Sequence, residues 1–323
     1  MKQNKWIVFG AVLIILSIVA LMAYDFFGGF DAPPKNVYQF TVAEYEEVDS
    51  SLICYHEVSS FSIALKTPHA LALDNMDRIF VGGEDSLLIF NENGHLQKVI
   101  YTGIETTALA VTDGGDILLG AVDHMENWTK DGIQKAVWET RNENVFITSI
   151  AVSDSSVFVA DAGNKVVYHY NLHGDLLNEI GRKDSLRGIP GFVIPSAYFD
   201  VAMGRDGELW AVNSGLHQLE AYDFSGRLLS SWNKTSMTLD GFSGCCNPSH
   251  IALLSDGSFV TSEKGLIRIK IHHPNGSFKC VVAAPKQFDK GTTGLDLAVD
   301  SDQKIIVLDP KQRKIRVFKR NSL

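Results

Sequence analysis

From about residue 50 onward the chain is a succession of short runs rich in Val, Ile, Phe and Tyr, each bounded by Gly, Asn or Asp. Such runs are strands, because β-branched and aromatic side chains suit a pleated surface and the bounding residues tolerate the backbone angles of a tight reversal. Six runs carry an alanine in equivalent places, Ala72, Ala110, Ala151, Ala202, Ala252 and Ala298, at intervals of 38, 41, 51, 50 and 46 residues, and each is followed by a second apolar run. A period of this size marks repeated units that bury their apolar faces only against one another, so the whole chain reads as one array.

Two copies display the unit in full. Phe146–Gly181, FITSIAVSDSSVFVADAGNKVVYHYNLHGDLLNEIG, and Pro195–Trp232, PSAYFDVAMGRDGELWAVNSGLHQLEAYDFSGRLLSSW, each hold four apolar runs, which predicts four strands per unit. The last copy, from Asp296, offers only three strands before the chain stops at Leu323, whereas Ser51–Leu65, SLICYHEVSSFSIAL, is a strand-like run without a unit of its own. We expect that run to complete the sixth unit and close a ring, which removes the open sheet edge that invites aggregation. The predicted fold is therefore all-β, a six-bladed β-propeller over residues 38–323. Third-strand aromatics followed four residues on by glycine, Phe90 with Gly94, Tyr170 with Gly174 and Tyr222 with Gly226, are read as packing and turn positions. The fifth copy is read as Ile271 with Gly276, and the second as Trp138 with no matching glycine.

The exception to this pattern is Trp6–Tyr24, WIVFGAVLIILSIVALMAY, a stretch without a charge that follows Lys2 and Lys5. Its length approaches the roughly 20 apolar residues that cross a bilayer, and the preceding lysines favour a cytoplasmic N-terminus. Leu21 and Ala23 make a poor small-x-small cleavage site, so an uncleaved signal anchor is expected rather than a removed signal peptide. The expected plan is residues 1–5 cytoplasmic, 6–24 membrane-spanning, 25–37 a tether, and a periplasmic or extracellular propeller. With 38 acidic against 29 basic residues and no Lys/Arg run on a repeat, nucleic acid is not an expected partner.

Several segments carry a resemblance: DRIFVGG from Asp77, DAGNKVVYHY from Asp161, IPGFVIPSAYFDVA from Ile189 and above all GFSGCCNPSHIALLSDGSFVTSEKG from Gly241 to Gly265. They look like NHL-type repeats, and the chain from about Tyr38 to Lys319 is similar to membrane-anchored bacterial NHL-repeat proteins. The resemblance implies a propeller but no particular activity, since function resides in sites rather than folds.

Candidate chemistry falls in three groups. Residues leaving the second strand of each copy are Gly83, Ala121, Asp161, Asn213, Glu263 and Asp309, so a partly acidic funnel at one channel mouth is expected, suited to a cation or polar ligand. The same Asp and Asn positions also fit side chains that accept hydrogen bonds from turn amides. The apolar loop from Gly188 to Asp200, GIPGFVIPSAYFD, puts Phe192, Tyr198 and Phe199 forward as ligand-stacking residues, or as cover over the seam between the third and fourth blades.

His69 and His250 enter their innermost strands in similar places, with Cys245 and Cys246 just before His250. Imidazole and thiolate are ligands for zinc or copper, and an acidic funnel suits calcium. The histidines look like those of peptidyl-hydroxyglycine amidating lyases, whose three-histidine set implies a metal, but the third place here is Ser149. The adjacent cysteines fit a vicinal disulfide, a pair of metal ligands or free thiols, and as a pair they are also a candidate redox element. Cys54 and Cys280 are read as buried apolar residues in outer strands. Three classes of role follow: a membrane-tethered module binding a protein, peptide or small molecule; a metal-dependent hydrolase or lyase in the manner of gluconolactonase-like or amidating-lyase propellers; and a redox protein acting through Cys245 and Cys246.

Overall fold

A computed structural model describes residues 3–27, 42–140, 143–186 and 189–322. Most of the expected tether, from 28 to 37, and the first residues of the expected propeller, 38–41, lie outside the described residues. Two compact units result, Met1–Val42 and Ala43–Leu323. The first contains one helix, Gln3–Phe27, in which Trp6–Tyr24 has a mean hydropathy of 2.8 and none of that stretch is buried. This helix is long and apolar enough to cross a membrane.

The second unit is a six-bladed propeller made of six four-stranded antiparallel sheets. Every repeat alanine lies in an innermost strand: Ala70–Leu73, Ala108–Val111, Ile147–Val152, Val201–Met203, His250–Leu253 and Asp296–Val299. Near the axis six strands converge, and a methyl group there leaves room for the neighbouring blade. The sixth blade closes as expected, with Tyr55–Ser62 antiparallel to Lys314–Arg320 and Tyr55 opposite Arg320. Sequence-distant segments thereby share one sheet, and no gap separates blade six from blade one.

Blade-to-blade packing explains the hairpin glycines. Gly174 and Gly276 have φ of +90° and +83°, and a Cβ on either would lie 2.5 Å from the indole of Trp138 or Trp232, which come from the outer strand of the preceding blade. Glycine is required there twice over, for the left-handed backbone and for the ring that covers it. This register corrects two sequence readings. The third-strand residue of blade two is Trp128, opposite Ile117, and its glycine four residues on is Gly132; Trp138 belongs to the fourth strand. In blade five the position falls on His272, opposite Phe259, rather than on Ile271. Buried and packed at a tilt against Trp232 and Phe242, His272 has its pKa lowered to about 3 by desolvation and by the Lys270 charge, so it serves as a neutral aromatic.

The expectation for Cys54 and Cys280 is overturned, because they form a disulfide across a Cα–Cα distance of 5.9 Å. Before entering blade six, the N-terminal run passes along the outer strand of blade five, Phe278–Ala283, with Ile53 bridged to Val281. The two thiols meet there.

Candidate functional site

Innermost strands leave an edge facing the channel, and its backbone groups need partners from elsewhere. Side chains of successive blades provide them in a belt. Thr107 Oγ1 of blade two donates to Ile147 O of blade three at 2.7 Å, and Thr148 Oγ1 of blade three donates to Phe199 O at 2.6 Å. Asp200 Oδ2 of blade four accepts from Ile251 N of blade five at 2.6 Å. Ser262 Oγ of blade five donates to Leu295 O at 2.8 Å, and Asp296 Oδ2 of blade six accepts from Leu71 N of blade one at 2.7 Å. Between blades one and two the belt is continued by a backbone bond, Thr106 N to Gly83 O at 2.8 Å.

The belt opens on a cavity of about 440 Å³ lined by all six innermost strands. Two residues before each repeat alanine stand Ala70, Ala108, Ser149, Asp200, His250 and Asp296, so the ionisable side chains fall on three consecutive blades. His250 Nδ1 lies 3.4 Å from Asp296 Oδ1 and 3.8 Å from Asp200 Oδ2, with 14% of the histidine side chain exposed. Burial raises the Asp296 pKa to about 6, with His250 opposing and the Asp200 charge adding to the shift; burial likewise raises Asp200. Two desolvated carboxylates with an imidazole between them form a polar cluster in which Asp296 can hold a proton at mildly acidic pH.

Tyr198 extends this cluster outward, its ring perpendicular to His250 at 6.1 Å between centroids. The Lys264 ammonium lies 4.3 Å above the Tyr198 ring and donates to Ser196 Oγ at 3.0 Å. Beyond it are the two free cysteines, Cys245 exposed and Cys246 buried, with their sulfurs 3.1 Å apart. Burial acts to raise the Cys246 pKa, but hydrogen bonds with Ser196 and Cys245 and the Lys264 charge bring it below its ordinary value; Cys245 is raised, chiefly by its bond to Cys246. Contacts thus run from His250 to Tyr198, from Tyr198 to Lys264, and from Lys264 and Ser196 to the thiol pair.

His69 lines the same cavity from blade one, 39% exposed and 3.2 Å from Glu105. It stands one residue upstream of the position that His250 occupies, which Ala70 fills in its blade. Among the described residues no group of three His, Cys, Asp or Glu side chains is arranged to hold a metal ion. The carboxylates beside His250 are engaged by backbone N–H groups, and Ser149, at the third-histidine place, accepts from Val201 N at 3.2 Å. The lyase-like three-histidine metal set therefore does not fit these residues.

The expected funnel residues stand at the same end of the blades but one strand further out, and none lines the cavity. Asp161 accepts from the N–H groups of Phe146, Gly163 and Asn164 and from the Tyr168 hydroxyl. Asn213 accepts from Val193 N and donates to Glu220, and Asp309 accepts from Gln312 N. Glu263 pairs at 2.7 Å with both Arg268 and Lys270, inside blade five. Each of the four is buried and serves a turn or an internal charge, the second of the two roles open to such residues. Phe192 and Phe199 pack on each other at 4.7 Å in the seam of blades three and four and present no ring to the channel; of the three loop aromatics only Tyr198 reaches the mouth.

Asp200 and Asp296 were not singled out as site residues by the sequence reading. Their signal was present, since both occupy the register position of His250 on the adjoining blades.

This architecture defines the protein as a six-bladed β-propeller. No protein-family model matches the chain, and no curated protein sequence does. Among solved structures it is similar to a streptogramin B lyase, with 12% identity and a TM-score of 0.56 over 84% of this chain and 100% of that one. It is also similar to a catalytically inactive histidine-to-alanine variant of virginiamycin B lyase from Staphylococcus aureus with quinupristin, with 14% identity and a TM-score of 0.56 over 83% of this chain and 100% of that one. A third similar structure is a protein of unknown function from Bacteroides caccae, with 14% identity and a TM-score of 0.52 over 68% of this chain and 83% of that one. At these identities the likeness is one of fold.

Proposed function

We propose that the chain is a membrane-tethered, extracytoplasmic propeller with NHL-like repeats that binds a small polar or peptide ligand at the His250 end of its channel. The observation that carries this reading is the convergence of Asp200, His250 and Asp296 from three blades on one cavity. The accessible lining of this cavity is more polar than apolar, which suits a polar ligand rather than a hydrophobic one. Asp200 and Asp296 each accept two backbone N–H groups and keep further lone pairs, which favours a ligand bearing an amine or amide. The Trp6–Tyr24 helix supports the tether, and the Cys54–Cys280 disulfide supports an oxidising compartment, where such bonds persist. A second reading, acid–base chemistry of lyase or hydrolase type on the bound ligand, is favoured by the Asp296 pKa near neutrality beside His250.

Thermal unfolding in the presence of a panel of amino acids, dipeptides, polyamines and monosaccharides tests the binding reading. A ligand at a hundredfold its Kd adds about 2.7 kcal/mol to stability. We expect an amine-bearing compound to raise the midpoint of the native protein and to lose that effect in His250→Gln and Asp296→Asn. Absence of any shift across the panel, or shifts that persist in both variants, overturns the reading.

A further inference from the structure

We propose that Cys245 and Cys246 form a thiol–disulfide exchange site at the channel mouth, which takes an exposed or low-molecular-weight disulfide as substrate and closes to a vicinal disulfide.

The division of labour is built into the pair. Cys245 is exposed and open to attack an incoming disulfide, whereas Cys246 is buried and shielded from it. The sulfurs are already 3.1 Å apart, so the bond length of about 2.05 Å requires closure by only about 1 Å. Their loop is held on both sides. Asn247 Nδ2 donates to Ser243 O at 2.6 Å and Lys264 O at 3.0 Å, and its Oδ1 accepts from Lys264 N at 2.9 Å. His217 contacts Gly244 O through Nε2 at 2.7 Å. A pair held in place in advance meets without a large ordering cost.

Lys264 decides between exchange and soft-metal capture. An ammonium beside the sulfurs repels a cation but stabilises a thiolate on Cys246, which can take up the Cys245 proton in the first step. The remaining cysteines, Cys54 and Cys280, are joined to each other and take no part.

The reaction balances as follows. Cys245 Sγ, its proton passed to the Cys246 thiolate or to water, attacks one sulfur of a disulfide RSSR; the S–S bond breaks and RS⁻ leaves. Cys246 Sγ, its proton passed to the departed RS⁻ or to water, then attacks Cys245 Sγ in the mixed disulfide, forming the vicinal bond and releasing the second RS⁻, and the two thiolates take up the two protons given up by the pair. The protein loses two hydrogens and is oxidised by two electrons, while RSSR is reduced to two RSH. Adjacent Cα atoms are about 3.8 Å apart, below the usual disulfide range of about 4.4–6.8 Å, so the oxidised pair is strained and returns readily to the dithiol.

Oxidised glutathione is the probe. Full-length protein in detergent, first reduced under conditions that spare Cys54–Cys280, is exposed to it at neutral pH and analysed by mass spectrometry, intact and after trypsin. We expect the peptide 235–264 to lose two hydrogens without retaining glutathione, and dithiothreitol to restore it. In Cys246→Ser, glutathione is expected to accumulate on Cys245; in Cys245→Ser, Cys246 is expected to react only after denaturation. Lys264→Gln, which removes the positive charge that favours a thiolate at the pair, is expected to slow oxidation of the pair. A stable glutathione adduct on the native pair, or two unreacted thiols after Cys245 has been offered excess oxidant, overturns the proposal, and that measurement stands whether or not the variants fold.

Discussion

Asp296→Asn is the most informative single change, because it alters charge at the site while keeping shape. In the native protein Asp296 Oδ2 accepts from Leu71 N at 2.7 Å and Oδ1 accepts from Leu297 N at 2.8 Å, with His250 Nδ1 beyond at 3.4 Å. The folded pKa of about 6 stands against an ordinary 3.8, and at 1.36 kcal/mol per unit the difference corresponds to at most about 3 kcal/mol. Since 17% of the side chain is open to the channel, water reduces that figure, and about 2 kcal/mol is the working value. The sign follows from proton linkage. The native state binds this proton more tightly than the unfolded chain, so the contribution is fully present below about pH 4 and is lost as pH rises through about 6. Asparagine does not titrate, and its amide opposes one of the two backbone donors, costing about 1–3 kcal/mol at every pH. The variant is therefore expected to be clearly less stable than the native protein at pH 4 and close to it at pH 7. Urea unfolding followed by tryptophan fluorescence from pH 4 to 7 measures the gap, in which all unrelated titrations cancel. A gap that stays constant to within about 0.5 kcal/mol would mean that Asp296 ionises as it does in the unfolded chain, and the desolvated Asp–His cluster would have to be abandoned.

Two structural predictions accompany it. Replacing Cys54 and Cys280 together by serine opens a loop spanning 226 residues, which chain entropy values at about 5 kcal/mol and experience at about 2–5 kcal/mol; the thermal midpoint should fall by about 5–15 °C, and a change under about 2 °C would show that the bond does not constrain the unfolded chain. Gly276→Ala should cost about 2–4 kcal/mol, combining a positive φ with a Cβ 2.5 Å from Trp232; Gly265→Ala, with φ +82° and no atom within 4 Å, isolates the first component at about 1–2 kcal/mol, and equal losses in the two variants would remove the role assigned to the tryptophan.

The architecture was legible in the sequence because propeller blades are local. Each repeat alanine and its following run report contacts made within about forty residues, and the three-strand remainder after Asp296 pointed to the N-terminal run as the missing strand. The errors arose where neighbouring blades decide the outcome. Trp138 and Trp128 are both aromatic in plausible strands, and only Gly174 of the next blade, which the Trp138 ring covers, marks Trp138 as an outer-strand residue. The Cys54–Cys280 bond required knowing that a segment bound for blade six first passes blade five. The polar second-strand ends were expected at the mouth because Asp and Asn fit both a ligand and a turn, and the competing turn amides took them. Asp200 and Asp296 were within reach, since the register that marks His250 marks them too.

Blade five is where these threads meet. Its innermost strand carries His250, its outer strand is tied by Cys280 to the segment that closes the ring, and its approach loop carries Cys245 and Cys246. That loop is held from beneath by charges inside the blade. Arg268 donates to the carbonyls of Met237, Thr238 and Gly241, Lys270 donates to Gly241 O, and Glu263 balances both cations while accepting from Ser243 N. Burial lowers the Lys270 pKa to about 8, with the Glu263 charge opposing. Two cations beside one carboxylate are an expensive arrangement for a protein interior, and an apolar trio of similar volume would commonly be as stable. What an apolar trio would not supply is a set of donors aimed at loop carbonyls. The buried charges of blade five are thus best understood as fixing the position of the loop, so that the thiol pair and Lys264 stand beside Tyr198 and His250 rather than moving freely over the mouth.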